Sequence, residues 1–124
     1  MRAIVVDDSK AMRRILSGAL KSQGFEVIEA STGKEAIERL RESGSLDLAL
    51  VDWNMPEMTG IELVELVRAD MGFSGMRLMM VTTETEPEQV ERALTAGADE
   101  YLMKPFTTET LLLKLQTLGL LPCD

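Results

Sequence analysis

Short runs rich in Val, Ile and Leu recur five times along the chain, at Ala3 to Val6, Phe25 to Ala30, Leu46 to Val51, Arg77 to Thr82 and Asp99 to Met103. Each has the length of a strand. Amphipathic stretches follow them, at Met12 to Ser22, Lys34 to Glu42, Ile61 to Asp70, Glu88 to Ala96 and Thr108 to Leu118, and each reads as a helix. The punctuation agrees. Ser9 can cap the first helix and Gly24 follows it, Thr32 and Gly33 precede the second and Gly44 follows it, while Pro87 suits a first turn and Gly97 a left-handed exit. Strands this apolar need cover on both faces, so the βα alternation predicts an α/β fold: a five-stranded parallel sheet with helices on both sides. The expected strand order is 2-1-3-4-5, an order known from flavodoxin-like folds rather than one that spacing dictates. Residues 1–124 are expected to form one domain, with only Gly119 to Asp124 loose.

Composition removes several classes of function. Thirteen Lys plus Arg against 21 Asp plus Glu give a net charge of −8, which disfavours nonspecific duplex binding and suits basic partners, so no nucleic-acid partner is expected. With no His and one Cys, Cys123, the chain cannot build a His/Cys zinc site, a Ser-His-Asp triad or an internal disulfide, and it cannot carry phosphohistidine. No apolar run approaches the ~18 residues of a membrane span. A cytoplasmic monomer, not inserted in a membrane, is the expectation.

In an open parallel sheet, ligands bind where strands end and loops diverge. Strand 1 ends in Asp7-Asp8, strand 3 in Asp52, strand 4 in Thr82-Thr83 and strand 5 in Lys104-Pro105. Carboxylates ~4 Å apart repel by roughly 1 kcal/mol per pair in water and ~4 at an effective dielectric near 20. Lys104 and a divalent cation would offset this, and all-oxygen ligation favours Mg²⁺, with Mn²⁺ or Ca²⁺ next, over Zn²⁺. One strand-end Asp alone is commonly a solvated loop residue; four polar ends of complementary charge are a site. An ionised carboxylate needs no His to deprotonate it before it attacks phosphorus. A cation and a Lys neutralise the transferring oxygens, and the Thr82 hydroxyl can donate to another. The inventory fits formation of an aspartyl phosphate.

The residues Asp7-Asp8, Asp52-Trp53-Asn54-Met55-Pro56 with Gly60, Val81-Thr82 and Lys104-Pro105-Phe106, taken in that order and spacing, resemble a response-regulator receiver domain from end to end. Met12-Arg13-Arg14, Val67-Arg68-Ala69-Asp70 and Lys104-Pro105-Phe106-Thr107 are most similar to its chemotaxis members. The resemblance implies that Asp52 is the phosphoacceptor. It further implies that Asp8, Asp52 and the Asn54 backbone carbonyl bind Mg²⁺, with Asp7 acting through water, and that Thr82 and Lys104 contact the phosphoryl group. The donor would be a phosphohistidine on a separate histidine kinase. Thr82 and Tyr101 would form the switch that alters the surface of helix 4, strand 5 and helix 5, although an aromatic on a short strand is by itself usually partial core. The bond matching Lys104-Pro105 is usually cis in the family that the chain resembles, against a few per cent from Pro alone, and the sequence leaves the isomer open.

Asn54, Thr83 and Glu84 flank the acceptor and are candidates for tuning phosphate lifetime, Thr83 being bulkier than the Ala or Gly common in the family; Glu84 is equally read as a solvated charge. Trp53 is expected to be partly exposed, and the resemblance implies that its fluorescence reports metal binding. The nine Met residues read as core filler. Glu84, Glu86, Glu88 and Glu91 read as a solvated acidic start to helix 4 that suits its dipole. With helix 5 ending near Leu118, no output domain is expected, so the switch would act on another chain: a motor switch, a kinase or a phosphotransfer protein. A phosphorelay intermediate or phosphate sink is the alternative. An aspartate-based phosphohydrolase is remote because Asn54 stands where its second Asp would be, and a flavin carrier is disfavoured by two anions after strand 1.

Overall fold

The computed structural model describes residues 1–44, 46–69, 75–83 and 87–121. The elements run β1 (Arg2–Val6), α1 (Lys10–Ser22), β2 (Glu26–Ala30), α2 (Gly33–Ser43), β3 (Leu48–Asp52), α3 (Gly60–Ala69), β4 (Arg77–Thr82), α4 (Pro87–Ala96), β5 (Glu100–Met103) and α5 (Thr108–Thr117). All strand pairs are parallel and the order is β2-β1-β3-β4-β5, as expected. The chain moves outward from β1 to β2, then crosses back to β3, so the two halves of the sheet part between β1 and β3. The loops after those two strands diverge there, which opens a crevice at their carboxyl ends.

Each central strand feeds two cores, because alternate side chains point to opposite faces. Ala3, Val5, Leu48 and Leu50 pack with Leu16 and Leu20 of α1 and Leu111 and Leu115 of α5. Ile4, Val6, Ala49 and Val51 pack with residues of α2, α3 and α4, including Leu40, Val64 and Ala93. Four caps set where the helices begin. Ser9 accepts from the Met12 N–H, Thr32 from Glu35 and Thr107 from Thr110. At α3, Thr59 Oγ1 accepts from the Glu62 N–H while Glu62 Oε1 accepts from the Thr59 N–H, a reciprocal capping box.

Element edges depart from the sequence expectation by a residue or two, with local reasons. Phe25 lies outside β2 because its N–H donates to Leu20 O in the turn closing α1. Asp47 precedes β3 and instead ties three segments: its carboxylate accepts from the Arg2 N–H and its carbonyl from the Arg77 N–H. The Asp70 and Cys123 of the sequence reading lie outside the described residues.

Leu50 sits on the central strand and is fully buried, whereas Ile15 on α1 is 55% exposed. Leu50→Ala is expected to cost about 2–5 kcal/mol and Ile15→Ala to stay within ~0.5 kcal/mol. Urea titration checks the pair; similar losses at both positions would contradict this assignment of the core.

Candidate functional site at the carboxyl edge of the sheet

Asp7 follows β1 directly and is held from three sides. Its N–H donates to Ala30 O at the end of β2 (3.1 Å), its Oδ1 accepts from the Ser9 N–H (2.8 Å), and its carbonyl accepts from Arg13 Nη1 (2.6 Å). The side chain is buried, and Asp8 beside it is exposed. Asp52 is the last residue of β3 and is only 5% exposed. Asp7, Asp8 and Asp52 can each bring a carboxylate oxygen within 4.8 Å of the other two. Among the described residues this is the one group of acids so placed.

Lys104 comes to this cluster from the opposite half of the sheet. Its N–H donates to Thr82 O at 2.7 Å, which carries the β4–β5 pairing one residue past β5 and fixes where the side chain starts. Its Nζ then lies 3.3 Å from Asp52 Oδ1 and 3.4 Å from Asp7 Oδ2. The Lys104–Pro105 bond is cis, in line with the resemblance. The pKa of Asp52 is raised from its ordinary 3.8: burial is the main cause and the Asp7 charge adds to it, while Lys104 and the Asn54 N–H (3.4 Å from Oδ1) oppose it.

Thr82 ends β4 fully buried, and Thr83 after it is exposed. Tyr101 on β5 is opposite Met80, and Met103 is opposite Thr82, so Thr82 and Tyr101 are diagonal neighbours on one face of the sheet. Tyr101 is half-buried against the α2–α3–α4 core, so the partial-core reading also holds for it. Asn54 is exposed. Glu84 and Glu86 lie outside the described residues, whereas Glu88 is in the first turn of α4.

Trp53 corrects an expectation: it is buried, with 8% exposure. Its N–H donates to Val81 O (3.3 Å), continuing the sheet past the end of β3. That keeps the alternation of Ala49 and Val51 going, and the indole joins their core. Sequence reasoning also left Gly60 without a role. A β-carbon there would collide with the Asp52 carbonyl oxygen and lie 2.8 Å from Met80 Cε and 3.0 Å from Trp53 Cα. With its N–H bonded to Trp53 O (3.0 Å), Gly60 lets α3 start directly against the strand end that carries Asp52. Its place at the opening of an apolar helix was the available signal.

Residues 3–116 match the response regulator receiver domain family. The chain belongs to that family. The receiver domain is 45% identical over 117 residues to chemotaxis protein CheY1 of Helicobacter pylori strain J99, with 94% of each chain covered. It is 44% identical to the chemotaxis protein CheY homolog of Campylobacter jejuni serotype O:2, covering 94% of this chain and 90% of that one. Among solved structures it superposes on Vibrio cholerae chemotaxis protein CheY4 with a TM-score of 0.87 at 39% identity, covering 94% of this chain and 96% of that one. It is thus a CheY-type receiver. No helix among its described residues is long and apolar enough to cross a membrane.

Because the folded-state pKa of Asp52 exceeds its unfolded value, the fold favours the protonated acid. Stability is therefore lost as pH rises from the unfolded pKa through the folded one. Without divalent cations, Asp52→Asn is expected to melt above wild type at neutral pH, with the gap closing in acid as Asp52 protonates. Thermal melts across that range check the sign; a gap that widens on acidification would contradict it.

Proposed function

We propose that this receiver domain is a phosphorylation-activated switch of a two-component system, in chemotaxis or motility, with Asp52 as its phosphoacceptor. The observation that carries this reading is the shared Lys104 ammonium, 3.3 Å from Asp52 and 3.4 Å from Asp7, at the edge of a three-carboxylate cluster. The family match and the CheY relatives support it.

The donor set is oxygen only, which fits a hard dication such as Mg²⁺. Asp8, Asp52 and the Asn54 backbone carbonyl would hold it, with Asp7 acting through water. When bound, the ion supplies positive charge to the phosphoryl oxygens. An Asp52 carboxylate oxygen bonds to phosphorus as the P–N bond of a phosphohistidine on a histidine kinase breaks. The imidazole leaves with the bonding pair and takes up a proton. Lys104 and the Thr82 hydroxyl contact the transferred oxygens. The chain has no His, so the donor histidine lies outside it.

Phosphorylation alters the Lys104 contact to Asp52, since the acceptor oxygen becomes the bridging oxygen of a mixed carboxylic–phosphoric anhydride and the new charge lies further out. Thr82 and its diagonal neighbour Tyr101 then pass the change to the surface of α4, β5 and α5. A protein target such as a motor switch, a kinase or a phosphotransfer protein reads that surface. Asn54, Thr83 and Glu84 set how readily water reaches the acyl phosphate. The chain acts as a cytoplasmic monomer of one domain, a switch that assists its own phosphorylation and dephosphorylation.

Incubation with acetyl phosphate and Mg²⁺ is expected to add one phosphoryl group, detected by intact-mass spectrometry, and Asp52→Asn is expected to abolish the addition. Labelling of that variant at the wild-type level would overturn the acceptor assignment.

A further inference from the structure

Helix α1 stands apart from the rest of this acidic chain. It carries Lys10, Arg13, Arg14 and Lys21, four of the 13 basic residues, and no acid. Three of them crowd its first turns, where the helix dipole disfavours positive charge, so helix stability does not account for them. Arg13 has local work: it lies 3.3 Å from Glu29 Oε1 and donates to the Asp7 carbonyl. Lys10, Arg14 and Lys21 are exposed, and among the described residues none of them is paired with an acid.

These three cations lie along one side of a groove of about 350 Å³ between α1 and the edge strand β2, and the groove's one lining acid among the described residues, Glu29, is already paired with Arg13. The spacing of Lys10, Arg14 and Lys21 keeps them on one helix face. They span about 16 Å at 1.5 Å per residue, too far for one small anion to reach all three. Between Arg14 and Lys21 the groove is lined by Ser17 and Gly18. Ser17 is 3% exposed and its Oγ has no hydrogen-bond partner. Gly18 sits mid-helix and exposed, and a β-carbon there would meet nothing within 4 Å. Glycine at such a position costs roughly 0.5–1 kcal/mol relative to Ala, and no packing among the described residues requires it.

A long basic face with a small-residue saddle at its middle fits an elongated anionic partner whose backbone comes close. We propose that the α1–β2 groove is a docking surface for an acidic helical segment of another protein. Carboxylates of that segment pair with Lys10, Arg14 and Lys21, and its backbone crosses over Ser17 and Gly18. Local positive charge in a chain of net charge −8 would hold such a segment in this place and repel it elsewhere. The surface does not depend on phosphorylation of Asp52.

The test is a titration of the ¹⁵N-labelled full chain with a capped, Ala-rich helical peptide that carries Glu at the spacing of the three cations. Saturable amide shifts confined to α1 and β2 are expected. Combined Arg14→Glu and Lys21→Glu should weaken binding roughly tenfold or more. Gly18→Leu should weaken it at unchanged charge, and Asp52→Asn should leave it intact, which separates this result from that of the phosphorylation test. Shifts that do not saturate, or that survive charge reversal, would overturn the proposal. So would a response to tripolyphosphate without one to the peptide, which would make the groove a small-oxyanion site.

Discussion

Three carboxylates and one ammonium share the carboxyl edge of the sheet, and their repulsion is the constraint on which the rest depends. Pairs of like charges ~4 Å apart cost roughly 4 kcal/mol each at an effective dielectric near 20. Lys104 offsets part of this by lying between Asp7 and Asp52. Three negative charges and one positive leave −2, the complement of one divalent cation. The pKa of Asp52 is raised mainly by burial, and the Asp7 charge adds to this against the help from Lys104 and Asn54.

Holding such a cluster together takes a rigid frame, and the backbone supplies it. Asp7 is tied to β2 through Ala30 and to α1 through Ser9 and Arg13. Lys104 is tied to β4 through Thr82. Asp52 has a strand behind it and Gly60 close beside its carbonyl, where any larger residue would push Asp52 out of line. Each functional group thus sits one step from a buried strand whose two faces are filled by separate cores. A local change of charge at Asp52 meets a stiff surround, and in such a surround change proceeds by discrete rearrangement rather than by gradual yielding.

Much of this was legible in the chain itself. Alternation of short Val- and Leu-rich runs with amphipathic stretches led to the parallel sheet, and the polar residues closing each run led to Asp7, Asp8, Asp52, Thr82 and Lys104. What local patterns did not carry depends on contacts distant in sequence. Trp53, next to Asp52, was expected to be partly exposed, yet pairing with Val81 extends the sheet through it. The cis bond before Pro105 was favoured only by the family resemblance. Gly60 gains its meaning from the Asp52 carbonyl eight positions earlier. The basic face of α1 was present in the sequence but had no context until β2 placed Glu29 beside Arg13.

The central claim is that Asp7, Asp8 and Asp52 act together on one dication. Calorimetric titration of the folded protein with Mg²⁺ tests it most directly. One saturable site per chain is predicted, with Asp8→Ala weakening it by about tenfold or more, as removal of a charged ligand should. No uptake by the folded protein, or uptake unchanged in Asp8→Ala, would contradict the account.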